Sequence, residues 1–98
     1  MQVIALRTLK QFWAVHDQAE TPLRSWYFKA SKAIWRTPQD IKDEFGASVD
    51  FVGDNRVIFD IAGNKSRLIV RVAYLHKRVL VKFVGTHKDY DPINPETV

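Results

Sequence analysis

The sequence predicts an α+β domain, two or three N-terminal helices packed on an antiparallel sheet of three or four strands. Three observations predict it. Apolar residues recur at three- and four-residue spacing through the first half of the chain, and the spacing switches to two near Val49. Each later run of alternation is divided from the next by a turn-forming cluster: Gly53-Asp54-Asn55, Gly63-Asn64, then His76-Lys77-Arg78. A chain of 98 residues is one domain by length, and folding at this size buries roughly 60–70% of the open chain's surface, enough for one core.

Taken in order, Leu6, Leu9, Phe12 and Trp13 mark a helical stripe from about residue 5 to 16, with Val3 and Ile4 opening it or forming a short strand before it. His16 to Glu20 is a polar link. Thr21-Pro22 reads as a helix start, a capping hydroxyl followed by a residue that loses nothing at the first helical position. Leu23, Trp26, Tyr27, Ala30, Ala33 and Ile34 continue that helix, with Arg24, Lys29, Lys32 and Arg36 around its outer side. Thr37-Pro38-Gln39-Asp40 repeats the start signal, and Gly46 ends the third helix. Strands are then expected at Val49–Val52 and around Val57, Phe59 and Ile61, followed by two basic ones. In the first of these, Leu68, Val70, Val72 and Tyr74 share a face, with Arg67, Ile69, Arg71 and Ala73 on the other. In the second, Val79, Val81, Phe83 and Gly85 alternate with Leu80, Lys82, Val84 and Thr86; if Lys82 lies on the same face as Arg67 and Arg71, three cations share one side of the ladder. From Asp89 onward the chain is too polar and too rich in proline to extend the sheet, and a surface tail is expected.

Six Phe, three Trp and three Tyr supply a core and argue against disorder. The absence of Cys removes disulfides, thiolate nucleophiles and Cys-based zinc sites, and suits the cytoplasm. No export signal and no apolar run near the ~20 residues of a membrane span is visible, so no membrane role is expected. The net charge of +4 and pI near 9.6 raise the expectation of an anionic partner.

That charge is segregated. From Ile61 to Lys88 the chain carries Lys65, Arg67, Arg71, Lys77, Arg78, Lys82 and Lys88 and no Asp or Glu. Directly after the last strand, Gly85-Thr86-His87-Lys88-Asp89-Tyr90-Asp91 gathers hydroxyl, imidazole, amine, carboxylate and phenol. His16 and His76 sit at a helix end and in a turn, where exposure needs no function, and Trp26 and Trp35 are expected in the core. No HExxH, no GxxxxGK[ST] phosphate loop and no GxSxG elbow is present, so no metal, nucleotide or serine-hydrolase cofactor chemistry is expected. Cations with one imidazole and one phenol suit RNA cleavage by the substrate's own 2′-hydroxyl, Arg and Lys neutralising the phosphorane while His or Tyr moves protons.

Residues 56–69, RVIFDIAGNKSRLI, and 83–91, FVGTHKDYD, with Leu23, Trp26, Ala33 and Trp35 upstream, resemble the HigB branch of RelE-type toxins. The resemblance runs from about Val3 to Ile93 and rests on the GNK-x-RL and GTH-x-x-YD pieces together, leaving 94–98 as a short polar tail. It implies a RelE-like fold and a metal-independent endoribonuclease that cuts mRNA on the ribosome during translation. It also implies a HigA-like helix-turn-helix antitoxin, with promoter DNA reached only through the toxin–antitoxin complex. By position it points to Arg67, His87, Tyr90 and Lys65 as catalytic and to Asn64 as RNA-binding. Arg71, Lys82 and Lys88 join the RNA-binding set from the charge pattern. The general base is left open. Asp60 stands where relatives commonly have Asn. Two other functions fit the same features: a gyrase-poisoning toxin on this scaffold, and a non-catalytic RNA-binding module.

Overall fold

The computed structural model describes residues 1–98. Strand β1 (Gln2–Ile4) leads into helices α1 (Leu6–Val15), α2 (Glu20–Lys32) and α3 (Pro38–Phe45). Strands β2 (Val49–Val52), β3 (Arg56–Ile61), β4 (Ser66–Ala73) and β5 (Arg78–Thr86) follow, and a one-turn helix α4 (His87–Tyr90) closes the ordered elements. The α+β expectation holds. The sheet, however, has five strands in the order β1-β5-β4-β3-β2, not three or four, and is mixed, because β1 pairs in parallel with β5. Alternation could not show that strand: three residues are too few to establish a period.

The helix boundaries shift for local reasons. A 3-10 turn at Asp17–Ala19 runs straight into α2, so Thr21 and Pro22 lie inside its first turn and Ala19, without a side-chain bond, is the N-cap. Ala33 and Ile34 fall beyond its end. Thr37 does precede α3 with Pro38 at its start, and Gly46 ends it at φ +64. Here the Asp40 carboxylate accepts from the Arg36 backbone N–H, 2.9 Å away, and so helps fix the entry to α3.

The helices cover one face of the sheet. Leu9, Trp13, Leu23, Trp26 and Ala30 meet Val57, Phe59, Leu68, Val70, Val72 and Val79 in a single cluster, and Trp26, Trp35 and Phe45 all lie within 6.4 Å of the Phe59 ring. Burying a core side chain of this size contributes roughly 1.5–3 kcal/mol. Leu68, Val70 and Val72 therefore face the helices, and Arg67, Ile69 and Arg71 the other side, as the alternation requires. On that second face Ile58 and Ile69 are 5% and 0% exposed. The C-terminal segment reaches the same face, where the Arg56 guanidinium donates to the carbonyl of Pro95 and to an oxygen of Val98. No helix is long and apolar enough to cross a membrane.

Candidate RNA-cleaving site

The site is assembled by the β3–β4 turn and by α4. Ala62 and Gly63 turn the chain at φ +54 and +67, which sets Asn64 and Lys65 immediately before β4. Across the sheet, Arg67 lies between Asp60 of β3 and Gly85 of β5. The chain then turns from β5 into α4 through a capping box: Thr86 Oγ1 accepts from the Asp89 N–H while the Asp89 carboxylate accepts from the Thr86 N–H, both at 3.2 Å. The His87 N–H donates to the Lys65 carbonyl at 2.9 Å and ties α4 to the turn.

Arg67 is the centre of this cluster. Its Nε lies 3.1 Å from Asp60 Oδ1, and one Nη donates to Asn64 Oδ1 at 2.7 Å. The other Nη faces the Asn64 and Ser66 carbonyls at 3.3 Å. Its Cζ stands 5.7 Å from the centroid of the Tyr90 ring. Only 9% of the residue is exposed, so a guanidinium that is almost wholly withdrawn from water has nearly all its donors engaged. His87, by contrast, has a side chain 54% exposed, with Nε2 3.6 Å from Asp91 Oδ1. Lys65 and Lys88 are exposed and without an ion-pair partner.

The structure thus brings together Asn64, Lys65, Arg67, His87 and Tyr90, and Lys88 lies on the same short helix. It separates Arg71 and Lys82 from them. Arg71 shares a face with Arg67 but lies four residues on, roughly 13 Å along the strand, and is drawn to Asp54 Oδ2 at 3.3 Å. Lys82 is the extra residue of a β-bulge: Ile69 pairs with Phe83 and Val70 with Val81, so Lys82 has no partner. The bulge shifts the phase of β5, so that Val84 faces Leu68 while Phe83 and Gly85 lie opposite Ile69 and Arg67. A strict period of two cannot assign Lys82 to a face across that break.

Sequence reasoning missed two contributors. Asp60 is the ionic partner of Arg67, a pairing that no residue spacing reveals because it spans two strands. Gly85 is the other: a Cβ there would come within 2.5 Å of the end of the Phe83 ring and 3.0 Å of Asp89 Cβ, so the absent side chain is what lets α4 close over β5. The cluster is an open surface. One hollow of about 230 Å³, lined by Trp26, Lys29, Phe45 and Phe59, shares Asp60 with it; a second, of about 440 Å³, lies between α1 and α2.

Against known families, residues 19–93 match the model of HigB_toxin, the RelE-like toxic component of a toxin-antitoxin system. The chain belongs to this family. Among individual relatives, the mRNA interferase toxin HigB of Escherichia coli K12 is 26% identical over 92 residues, covering 93% of this chain and 88% of the relative. The mRNA interferase HigB of Escherichia coli O6:H1 is 28% identical over 94 residues, covering 95% and 91%. The mRNA interferase HigB of Shigella flexneri is 26% identical over 92 residues. The HigB-type resemblance of residues 56–69 and 83–91 is thereby shown, within a match that runs from 19 to 93.

Proposed function

We propose that this toxin is an endoribonuclease, an mRNA interferase, whose reacting surface is the β3–β4 turn together with α4. The observation that carries the reading is the tie between Lys65 and His87, which places an exposed amine and an exposed imidazole on adjacent backbone beside the Arg67–Tyr90 stack. The names of the relatives support the same activity, and neither gyrase poisoning nor a non-catalytic RNA module finds support in them.

The substrate supplies the nucleophile. Attack of a ribose 2′-oxygen on the adjoining phosphorus forms a new P–O bond, expels the 5′-oxygen and leaves a 2′,3′-cyclic phosphate. His87 and Tyr90 are the groups that take the 2′ proton and return one to the leaving oxygen. Lys65 and the remaining donor of Arg67 neutralise charge on the phosphorane, and Lys88 and Asn64 hold the flanking strand. Arg67 also acts by position: held by Asp60, it fixes Asn64 and supports the Tyr90 ring. Arg71 and Lys82 extend the phosphate track along the sheet. An open surface without a deep cleft suits a strand presented by a larger body, which supports action on ribosome-bound mRNA in the cytoplasm. A HigA-like helix-turn-helix antitoxin is the neutralising partner, and through it the pair reaches promoter DNA.

Mapping of 5′ ends in total RNA after induction tests the proposal. Cuts within translated regions, lost when initiation is blocked, are the expected result; intact transcripts would overturn it. His87→Ala should lower the single-turnover cleavage rate about 10²–10⁴-fold with little change in RNA affinity.

A further inference from the structure

One aromatic ring on the sheet face that carries Arg67 has no part in the reaction described above. Val79, Val81 and Phe83 alternate along β5, and an unbroken ladder would set all three against the helices. The bulge at Lys82 prevents it. Val81 and Phe83 pair with Val70 and Ile69, consecutive residues of β4 whose side chains leave the sheet on opposite faces. Val79, Val81 and Val84 accordingly lie in or against the core beneath the helices, and Phe83 does not. Its ring lies on the open face, partly exposed, and reaches along β5 to the bare backbone of Gly85, where a Cβ would stand 2.5 Å from the ring's end. Gly85 is the residue opposite Arg67. A phenylalanine held out of the core forgoes hydrophobic stabilisation. Here the device that holds it out is a single inserted residue beside the reacting surface.

We propose, on the ribonuclease reading of this surface, that Phe83 is a stacking platform for one nucleobase of the RNA, that of a nucleotide next to the scissile phosphate. A phenyl ring neither moves a proton nor binds a phosphate. What it offers an RNA strand is a flat apolar face for a base. Tyr90 is already set beside the Arg67 guanidinium, whereas no ring and no cation of the protein lies against Phe83. Phe83 is two residues along β5 from Gly85, roughly 7 Å of strand, and its ring covers part of that interval. A base resting there directs its own ribose-phosphate toward Arg67 and the turn that Lys65 and His87 share. Stacking accepts every base and holds the larger purines more firmly, so Phe83 contributes affinity and a mild purine preference, not a strict reading of sequence. The ring also covers Ile69, its partner in β4. That second role asks only for an apolar side chain, while a base asks for an aromatic one.

The test compares wild-type toxin with Phe83→Leu and Phe83→Trp on a short RNA and on its 2′-O-methylated, uncleavable counterpart. Leu keeps an apolar cover over Ile69 and loses the π face; Trp enlarges that face. Phe83→Leu should bind the methylated strand about tenfold more weakly by fluorescence anisotropy, with a loss of cleavage carried mainly by KM and thermal melting close to wild type. Phe83→Trp should restore the affinity. The three native tryptophans are 8%, 3% and 2% exposed, so the indole introduced by Phe83→Trp is the accessible one, and its emission should be quenched as the methylated strand saturates. Scanning an abasic ribose through that strand should find one position, next to the cut, at which wild type loses about tenfold in affinity and Phe83→Leu loses nothing further. Equal affinity of Phe83→Leu and wild type overturns the proposal, as does an abasic loss that is the same in both proteins at every position. If Phe83→Leu melts far below wild type, the Phe83→Trp emission decides, and an unquenched signal with the strand bound overturns it. A wild-type toxin that binds the strand through Phe83 yet cuts no RNA leaves the platform standing and removes the ribonuclease reading alone.

Discussion

At the residue scale the informative pair is Arg67 and Asp60. Along the chain, the stretch from Ile61 to Lys88 is uniformly basic, and from that alone Arg67 and Arg71 should be free for an anion. Across the sheet each meets a carboxylate, Asp60 at 3.1 Å and Asp54 at 3.3 Å, contributed by the preceding strand and turn. Truncating Arg67 to Ala removes the ion pair, the Asn64 bonds and the support of Tyr90; a loss of about 1–3 kcal/mol is expected in urea unfolding, with cleavage falling beyond what that explains. Asp60→Asn separates the two effects. The amide oxygen still accepts from Arg67, but the guanidinium charge is no longer neutralised, so RNA affinity measured by fluorescence anisotropy at low salt should rise while the melting temperature changes little. An unchanged affinity would mean that the Arg67 charge does not reach the substrate. The residues themselves were legible in the sequence: the turn and α4 clusters stand out by composition. Their ionic partners were not, because cross-strand register is invisible until the strands are paired.

At the scale of elements, the junction of β5 and α4 decides whether His87 and Tyr90 stand beside Lys65 and Arg67. Gly85→Ala forces the Phe83 ring aside and presses on Asp89, so α4 must lift; destabilisation of about 1–3 kcal/mol is expected from thermal melting, with cleavage lost in proportion to α4 displacement. The turn between β4 and β5 offers the converse. Lys77 is exposed and held at φ +55, a left-handed conformation that Asn tolerates better than Lys. Lys77→Asn should raise the urea midpoint by the equivalent of about 0.5–1 kcal/mol and leave cleavage unaltered. Helices and long strands were readable from periodicity, and the left-handed turns from Gly53-Asp54-Asn55 and Gly63-Asn64. The bulge at Lys82 was not readable, because one added residue changes the phase without changing composition. Nor was the α2 start: the Thr21-Pro22 signal was genuine helix chemistry, displaced by a 3-10 turn that feeds α2 from upstream.

At the scale of the molecule, all three tryptophans sit in one cluster that joins both halves of the chain. Unfolding in urea followed by tryptophan fluorescence and by far-ultraviolet circular dichroism should therefore give coincident transitions; separated midpoints would mean that helices and sheet are independent units. Tyr74, half-buried near Asp40, has its phenol pushed above the usual value of 10.0, chiefly by burial and then by the Asp40 charge. Its contribution is complete below pH 10 and declines as pH rises through the folded-state value.

The parallel pairing of Gln2–Ile4 with Arg78–Leu80 joins the beginning of the chain to its final strand. A polypeptide still emerging from synthesis lacks that strand, the glycine opposite Arg67 and the phenol above it, so the surroundings of Arg67 are complete only once β5 and α4 have been made.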